Sequence, residues 1–347
     1  MKVLVMTSMY PTREDPALGS FVRAQVEALR RAGIDIELLL LDGRFRKLNY
    51  PVAVFQLRRR LAEGSIDLVH AHYGYVGMVA RTQWKVPVVV TYHGGDLMGL
   101  VINDRGDRAR SGPLIAAAGR MLARHIDAAI VQSAEMASLV DSSNVHIIPH
   151  EIDFEVFQLT DREQARAALG LRTDKKYLLF AANPQNGVKC FPLAKAAADE
   201  LIKQDPSTEL VVVYKEPQER LALFMNACDA LVFTSYMEGS PNIVKQAMAC
   251  NLPIVSTDVG DVREIIGATR GCYVCKPDVR EFAERLADLL RHRERTTGRE
   301  QVQHLAGPVI SQRIAKVYEH VLRNRAMHAV NRTTRNAKPQ TNILDGK

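Results

Sequence analysis

The sequence predicts an α/β protein with two consecutive domains, each built on a doubly wound parallel sheet. The chain has 347 residues, roughly twice the usual length of one domain. Short apolar runs alternate with amphipathic stretches of helical period, and this alternation restarts after a linker-like stretch at about 149–174. Strands that alternate with helices pair in parallel, so we expect two Rossmann-like sheets facing a cleft that binds ligands beyond the strands' carboxyl ends.

The first domain is predicted to span residues 1–155. Its initial apolar stretch is not followed by a small-residue cleavage site, so we interpret it as a strand and expect a cytoplasmic protein. A helix is predicted at 19–32, because Val22, Val26 and Leu29 share one face and Gly33 ends it. Further strands are predicted at 36–41, 66–70, 86–92 and 128–131.

The second domain is predicted to span residues 156–309. An amphipathic segment at about 310–323 is expected to pack back on the first domain, and the polar, patternless residues 324–347 are expected to be disordered. The strands of the second domain are predicted at 177–181, 209–213, 230–233 and 253–256.

Composition and absent motifs narrow the function. No apolar run approaches the ~20 residues that a membrane span needs. The first strand is not followed by GxGxxG, and no GxxxxGK[ST] occurs, which disfavours dinucleotide oxidoreductases and P-loop enzymes. With 6% aromatic residues and no recognition motif, nucleic acid is the weakest partner. The net charge of +7 leaves open a solvated face, a phosphorylated substrate or peripheral contact with an anionic membrane. The basic clusters are Arg44, Arg46 and Lys47; Arg58, Arg59 and Arg60; and Arg105, Arg108 and Arg110.

Two short motifs resemble metal ligands. His70 and His72 share one face of a predicted strand, and Cys272 and Cys275 form a CxxC pair. Neither pair has further ligands nearby, so a structural role is favoured for both. An odd count of five cysteines argues against a disulfide scaffold. We therefore predict no metal site and no cofactor.

The segment TSYMEGSPNIVKQAMA, residues 234–249, carries the chemistry. A buried strand ends near its start, and Glu238 and Gly239 form a tight loop in which Gly239 lets the backbone approach a ligand closely. Ser240 is the expected N-cap and Pro241 the expected first-turn residue of a helix over 242–250. The free amides and the positive dipole end of that helix suit a diphosphate.

These residues resemble a known family. The stretch EGSPNIVKQAMACNLPIVSTDVGD, residues 238–261, looks like the signature of the family-4 retaining GT-B glycosyltransferases, the glycosyl transferases group 1. The HGGD loop at 93–96, the interdomain stretch 149–157 and Lys189 at a helix start are similar to further motifs of that family. The resemblance therefore extends over nearly the whole chain.

The resemblance implies a GT-B fold and a metal-independent hexosyltransferase. Its substrate would be a nucleotide-diphosphate sugar, above all a UDP-sugar, and its acceptor a glycan or lipid-linked precursor of a cell-surface polysaccharide. Glu238 would touch donor sugar hydroxyls, Lys189 the phosphates, and His93 would orient the donor sugar or its leaving oxygen. The remaining donor-binding positions would be Gly19, Gly239, Ser240, Pro241, Asn242, Ile243, Val244 and Gln246.

The chain departs from the family pattern in three places. Gln246 replaces the second glutamate of the E-x7-E motif, which usually holds the ribose, and no basic residue precedes Lys189 in 183–188. His150 and Glu151 stand where Asn-Gly is usual. An alternative is therefore a donor-binding but catalytically weak relative that acts as a partner or regulatory subunit. A sugar-nucleotide epimerase of the same fold is a third reading.

Overall fold

The computed structural model describes residues 1–41, 49–99, 102–103, 107 and 109–336, and they form two α/β domains. Arg44, Arg46, Lys47, Arg105 and Arg108 of the basic clusters lie outside the described residues, as does the end of the chain, 337–347. Every strand pairing among the described residues is parallel. The predicted fold class, two doubly wound parallel sheets that face a cleft, is confirmed.

The first sheet has six strands in the order β2-β1-β3-β4-β5-β6. They are β1 (Lys2–Thr7), β2 (Asp35–Leu40), β3 (Leu68–His72), β4 (Val88–Thr91), β5 (Ala128–Val131) and β6 (Val145–Ile147). The helices between them are α1 (Ser20–Arg31), α2 (Asn49–Ala62), α3 (Gly74–Ala80), α4 (Gly95–Met98), α5 (Gly112–Ala123) and α6 (Ala134–Ser138). The initial apolar stretch is thus a strand, as predicted.

The second sheet has five strands in the order β11-β10-β9-β7-β8. They are β7 (Lys176–Phe180), β8 (Thr208–Val212), β9 (Ala230–Phe233), β10 (Ile254–Thr257) and β11 (Cys272–Cys275). The helices are α7 (Arg162–Leu169), α8 (Phe191–Gln204), α9 (Gln218–Ala227), α10 (Asn242–Ala249), α11 (Val262–Ile266), α12 (Val279–His292), α13 (Gly298–Gln301) and α14 (Gly307–Asn336), with short 3-10 turns at Gly187–Lys189 and Gln303–Leu305.

One apolar core runs through both domains. Val22, Val26 and Leu29 of α1 are buried in it, as their predicted shared face requires, together with Ile314 and Tyr318 of α14. The last helix therefore packs against α1 of the first domain. Two further clusters cover the outer faces of the two sheets. The predicted domain limits at 155 and 309 stay predictions.

Two local expectations were wrong, and one short strand was not predicted. Helix α14 continues to Asn336, so residues 324–336 are helical and not disordered. The linker-like stretch 149–174 contains α7, which Asp161 caps by accepting from the amides of Glu163 and Gln164. The short strand β6 was not predicted, because it has only three residues and the central one, His146, is polar.

Candidate functional site

A cavity of about 380 Å³ lies where the carboxyl ends of the two sheets face each other. The first domain contributes Phe21, Tyr73 and His93, and His150 comes from the segment that joins the domains. The second domain contributes the 3-10 turn that ends at Lys189 and the loop between β9 and α10. The cavity thus occupies the place where open α/β sheets bind ligands.

The N-terminus of α10 lines this cavity. Its N-cap is Pro241, which offers no side-chain hydrogen bond, so the expectation that Ser240 caps the helix was wrong. The Ser240 hydroxyl is instead 2.5 Å from Oδ2 of Asp261, across the loop that follows β10. The first amides of a helix have no partner within it, and Asn242 and Ile243 carry them at the cavity wall. This end of α10 therefore suits an anion.

Lys189 and Glu238 form an ion pair at the cavity, with Nζ 2.5 Å from Oε1. Lys189 ends the 3-10 turn that precedes α8, and Glu238 precedes α10. Their side chains are 28% and 18% exposed, so a ligand that enters the cavity can reach both. Both residues were predicted to bind the donor. In the structure their side chains are in direct contact.

Two glycines bring the domains into contact beside the cavity. Gly94 adopts φ +117°, and a Cβ built on it would lie 3.4 Å from the amide nitrogen of Gly239. A Cβ on Gly239 would lie 2.7 Å from Sδ of Met136 and 3.3 Å from Cα of Gly94. Gly239 therefore permits the close approach of the two domains.

Asp96 holds the His-Gly-Gly-Asp loop in shape. Its buried carboxylate accepts hydrogen bonds from the amides of His93 at 3.0 Å, Gly94 at 3.0 Å and Gly74 at 3.1 Å. Burial nevertheless raises the pKa of Asp96 to about 6, because removal from water penalises the carboxylate more than the amides stabilise it. The fourth residue of the motif thus fixes the backbone that presents His93.

A row of histidines crosses from β3 to the interdomain segment. Nδ1 of His72 is 3.2 Å from Nε2 of His93, and Nδ1 of His93 is 3.0 Å from Nε2 of His150. The next ring, His70, bonds Tyr318 and the Thr91 hydroxyl at 2.6 and 2.7 Å. Burial lowers the pKa of His72 to about 3 and holds the pKa values of His70, His93 and His150 well below their usual value. All four rings are therefore neutral near pH 7.

Behind the histidines lies a buried charged group formed by Glu151, Lys245 and Asp261. Burial raises the pKa of Glu151 to about 7, and the charge of Lys245 and the side chain of Gln25 oppose that rise only in part. Burial lowers the pKa of Lys245 to about 8, against the charges of Asp261 and Glu151. The opposite charges partly stabilise one another, but removing each charged group from water still costs free energy.

Several predicted donor-binding residues do not line the cavity. Gly19 is the N-cap of α1 at φ 60°, where a Cβ would lie 2.3 Å from the Met9 carbonyl oxygen, so it shapes the first loop. Val244 is fully buried in the core. Gln246 lies in an adjoining recess of about 50 Å³ that Glu151 also lines, and its amide donates to Oε1 of Gln218 at 2.9 Å.

Sequence reasoning missed other cavity residues. Gln132, directly after β5, is 2% exposed, lines the cavity and has no hydrogen-bond partner for either side-chain atom. Tyr73, directly after β3, adopts φ 76°, a strained conformation for a non-glycine residue. The sequence signal for both residues was their position directly after a strand, because residues there lie at the carboxyl edge of the sheet, where ligands bind. The sequence identified His150 as a departure from the family pattern and not as a cavity residue. Phe21 lies within the predicted helix at 19–32, but no role was predicted for it.

The comparisons with known proteins agree with this fold. Residues 23–150 match the glycosyl transferase 4-like domain, and residues 178–292 match the glycosyl transferases group 1. These two domains in this order, around a cleft between parallel sheets, define a sugar-transfer protein. The chain belongs to the GT-B glycosyltransferases of the group 1 and 4-like type.

Curated relatives are glycosyltransferases. The chain is 24% identical to TuaC of Bacillus subtilis, which is assigned to teichuronic acid biosynthesis, over 82% of this chain and 88% of TuaC. It is 28% identical to D-inositol 3-phosphate glycosyltransferase of Mycobacterium marinum over 66% of this chain and 56% of that protein. The match thus spans only about half the length of the second relative.

Solved structures share the fold. Sucrose-phosphate synthase from Thermosynechococcus elongatus superposes with a TM-score of 0.75 at 19% identity, covering 93% of this chain and 100% of that one. Anabaena HepE in complex with UDP superposes with a TM-score of 0.66 at 14% identity, covering 92% and 100%. Such identities establish the fold alone.

The described residues contain no group of three or more His, Cys, Asp or Glu side chains placed to hold a metal ion. No helix within the described part of the chain has the length and apolar character needed to cross a membrane.

Proposed function

We propose that this chain is a retaining glycosyltransferase that moves a hexose from a nucleotide-diphosphate sugar, a UDP-sugar above all, to a glycan or lipid-linked acceptor. One observation carries the proposal: Lys189, Glu238 and the open end of α10 meet in a single cavity between the domains. A cation and helix amides complement a diphosphate, and a carboxylate beside them complements sugar hydroxyls. The complex of HepE with UDP supports the choice of nucleotide.

In the proposed reaction, the bond between the anomeric carbon and the diphosphate oxygen breaks, and a bond from that carbon to the acceptor oxygen forms on the same face. The acceptor proton passes to the departing phosphate oxygen. Lys189 and the amides of Asn242 and Ile243 stabilise the negative charge that develops on the leaving group. Because these groups supply the compensating charge, the proposal assigns no role to a metal or to a resident cofactor.

A thermal-shift screen against UDP-, GDP-, ADP- and dTDP-sugars tests the donor. A ligand that binds only the folded state raises the melting temperature by mass action. We expect a rise with one nucleotide class, lost in Glu238→Ala and Lys189→Ala. Transfer assays with the responding donor and lipid-linked or oligosaccharide acceptors then test catalysis, with the anomeric configuration of the product reporting retention. No response to any donor would overturn the proposal.

A second candidate is a donor-binding relative without turnover, acting as a partner or regulatory subunit. The observation that favours it is Gln246, whose amide is already hydrogen bonded to Gln218 and which offers no carboxylate. A thermal shift with a nucleotide sugar, but neither transfer nor hydrolysis of it, would support this candidate. Conversion of the nucleotide sugar without an acceptor would instead indicate an epimerase.

We further propose that the first domain rests on the cytoplasmic face of an anionic membrane, where a lipid-linked acceptor is presented. Helices α2, α3 and α5 pack side by side on one face of the first sheet. Val52 and Phe55 of α2 and Leu114 of α5 are 52%, 69% and 75% exposed there. Exposed arginines occur on the same helices: Arg58, Arg59 and Arg60 lie on α2, Arg110 precedes α5 and Arg124 follows it. Of these, Arg60 pairs with Glu37 and Arg124 with Asp141. The five cysteines are free thiols, which fits a reducing compartment.

A further inference from the structure

Gln132 is a buried glutamine whose carboxamide is unpaired. The residue is 2% exposed, and neither Oε1 nor Nε2 has a hydrogen-bond partner among the described residues. A buried polar group without a partner costs free energy, and the large majority of buried side-chain polar atoms in folded proteins are hydrogen bonded. The stability of the fold therefore does not explain why a glutamine stands at this position.

Gln83, in the same domain, shows how this fold treats a buried glutamine with a structural role. It is 8% exposed, and its Nε2 donates to the carbonyl oxygens of Ala80 and Val86 at 3.4 and 3.1 Å. Its Oε1 accepts from the amide of Val86 at 3.0 Å. The carboxamide of Gln83 is thus used in full by the turn between α3 and β4, whereas the carboxamide of Gln132 is left without such contacts.

The position of Gln132 is that of a ligand-binding residue. It follows β5 directly and lines the cavity from the first domain, as Glu238 does from the second. The two loops touch: Ser133 accepts from the amide of Met136, and Sδ of Met136 would lie 2.7 Å from a Cβ on Gly239. Gln132 and Glu238 therefore line neighbouring parts of the cavity from opposite domains.

No hydrogen bond to a described residue holds the Gln132 carboxamide where it lies. Both of its polar atoms are out of the reach of water, so a ligand meets them after the side chain turns into the cavity. That turn breaks none of the hydrogen bonds described, whereas the same movement of Gln83 would break three. A partner in the cavity therefore gains new hydrogen bonds without the loss of old ones.

The chemistry of the carboxamide indicates what such a partner must offer. A glutamine side chain has an acceptor oxygen and a donor nitrogen, and both are unpaired at Gln132. A diphosphate offers only acceptors, so it would leave Oε1 without a partner. Two neighbouring sugar hydroxyls offer a donor and an acceptor side by side, so they satisfy both atoms. The carboxamide thus matches a sugar better than a diphosphate.

We infer that Gln132 is a specificity-determining residue that binds two neighbouring hydroxyls of the donor sugar from the first domain. Its Nε2 donates to one hydroxyl oxygen, and its Oε1 accepts from the other hydroxyl. Glu238 binds the same sugar from the second domain, so the hexose is held from both sides of the cleft. The inference rests on the function proposed above, because the cavity is then the donor site.

Isothermal titration separates the sugar from the diphosphate. The probes are UDP-glucose and UDP, or the corresponding pair of the base that the thermal-shift screen selects. Gln132→Met keeps an unbranched side chain of similar length and removes the carboxamide. Because neutral hydrogen bonds are lost, we expect the affinity for the nucleotide sugar to fall about tenfold, with the affinity for UDP within about twofold of the unaltered protein. Gln164→Met, at an exposed position on α7, is the control and should change neither affinity.

Deoxy analogues of the sugar identify the hydroxyls. A site built to bind a hydroxyl rejects an analogue that lacks it. Among the 2-, 3- and 4-deoxy forms of UDP-glucose, we expect two neighbouring positions to weaken binding to the unaltered protein. The penalty at those two positions should shrink in Gln132→Met, because a partner of those hydroxyls is already gone.

Three results would overturn the inference while leaving the proposed function intact. They are equal losses for UDP and UDP-glucose in Gln132→Met, deoxy penalties that the substitution leaves unchanged, and a loss confined to the KM of the acceptor. Failure of the unaltered protein to bind any nucleotide sugar would instead overturn the proposed function, and this inference with it. The two failures are therefore told apart by the unaltered protein alone.

Discussion

Lys189 Nζ lies 2.5 Å from Glu238 Oε1, so the two residues predicted to hold opposite parts of a donor neutralise each other in the unliganded cavity. On the proposed function, we expect a diphosphate to compete with Glu238 for Lys189, because phosphate oxygens are strong acceptors of charge-assisted hydrogen bonds. We then expect Glu238 to become free to accept hydrogen bonds from sugar hydroxyls, so that binding of the diphosphate prepares the place for the sugar.

Replacing Lys189 by alanine tests this exchange. A hydrogen bond to a charged group contributes about 1.5–3 kcal/mol, so we expect the affinity for a nucleoside diphosphate to fall between about tenfold and about a hundredfold. The pair is partly exposed, so the melting temperature without ligand should change little. Isothermal titration with UDP measures the affinity.

The matched control is Lys195→Ala. Lys195 pairs with Asp199 on the outer side of α8, at 2.6 Å and with both side chains exposed. It should leave UDP affinity unchanged. Equal losses in the two variants would show that a general loss of positive charge, and not the cavity contact, weakens binding.

Gly239→Ala should impair the site more than the fold. Its Cβ would lie 2.7 Å from Sδ of Met136 and 3.3 Å from Cα of Gly94, so the Met136 side chain must repack and the Gly94 backbone must move by a few tenths of an ångström. We expect transfer activity to fall at least about tenfold, because small displacements of catalytic groups are costly. Gly307→Ala is the control, since its Cβ would meet only ordinary contact, 3.7 Å from Cβ of Ala28. Full activity of Gly239→Ala would contradict the required close approach.

Gln132→Leu should stabilise the fold and weaken substrate binding. A buried polar group without a partner costs about 1–3 kcal/mol, and a leucine removes that cost at similar volume. We expect a higher midpoint in urea together with a raised KM for donor or acceptor. Gln83 is buried as well but bonds the carbonyls of Ala80 and Val86, so Gln83→Leu should destabilise. A destabilised Gln132→Leu with unchanged KM would remove Gln132 from the site.

Local signals were enough to predict most strands of both sheets and part of the site. The apolar runs gave β1 through β5 and β7 through β10 to within about two residues, and the loop before α10 gave Glu238 directly. Periodicity reports which residues are buried and not which segments meet. The row of His72, His93 and His150 joins three segments far apart in the chain, so no local pattern could reveal it.

Two errors of the sequence analysis have different physical origins. Propensity made Ser240 the expected cap of α10, but its hydroxyl bonds Asp261, which lies 21 residues further on. A long-range partner thus overrode a local preference. By contrast, α7 was missed although its signals are local: Asp161 caps its start, and Gly170 at φ 69° ends it. The segment was interpreted as a linker because of its polar composition, although its start and stop signals predict a helix.

Glu151→Gln should change how stability depends on pH. Burial raises the pKa of Glu151 from its ordinary 4.5 to about 7, so the folded protein binds this proton more tightly than the unfolded chain. The stabilisation by that proton is full below about 4.5 and is lost as pH rises through 7. We expect Glu151→Gln to be more stable than the unaltered protein at pH 8 by about 3 kcal/mol, with the difference shrinking toward pH 4.5.

Urea unfolding at several pH values measures this difference. Glu155→Gln is the control, because Glu155 is an exposed carboxylate in the same interdomain segment. A pH-independent loss of stability in Glu151→Gln would show instead that Glu151 acts as an obligatory ionised partner of Lys245.

The exposed apolar and basic face of the first domain predicts salt-sensitive membrane binding. Val52, Phe55 and Arg59 recur at helical spacing on one side of α2, which is the pattern of a helix lying in a membrane interface. Exposed charges are screened within about 10 Å at 0.1 M salt, so we expect binding to anionic vesicles at low salt and release as salt rises. Vesicle co-sedimentation measures both.

Phe55→Glu separates an apolar contact from charge attraction alone. It places a carboxylate where the proposed contact inserts an aromatic ring, so binding should fall at every salt concentration and not only at high salt. Leu159→Glu is the control, because Leu159 is an exposed apolar residue too, at 52% against 69% for Phe55, but lies in the segment before α7, away from the first domain's helices. It adds the same negative charge, so equal losses in both variants would mean that net charge governs attachment. Binding that neither salt nor Phe55→Glu reduces would place the membrane contact on another surface.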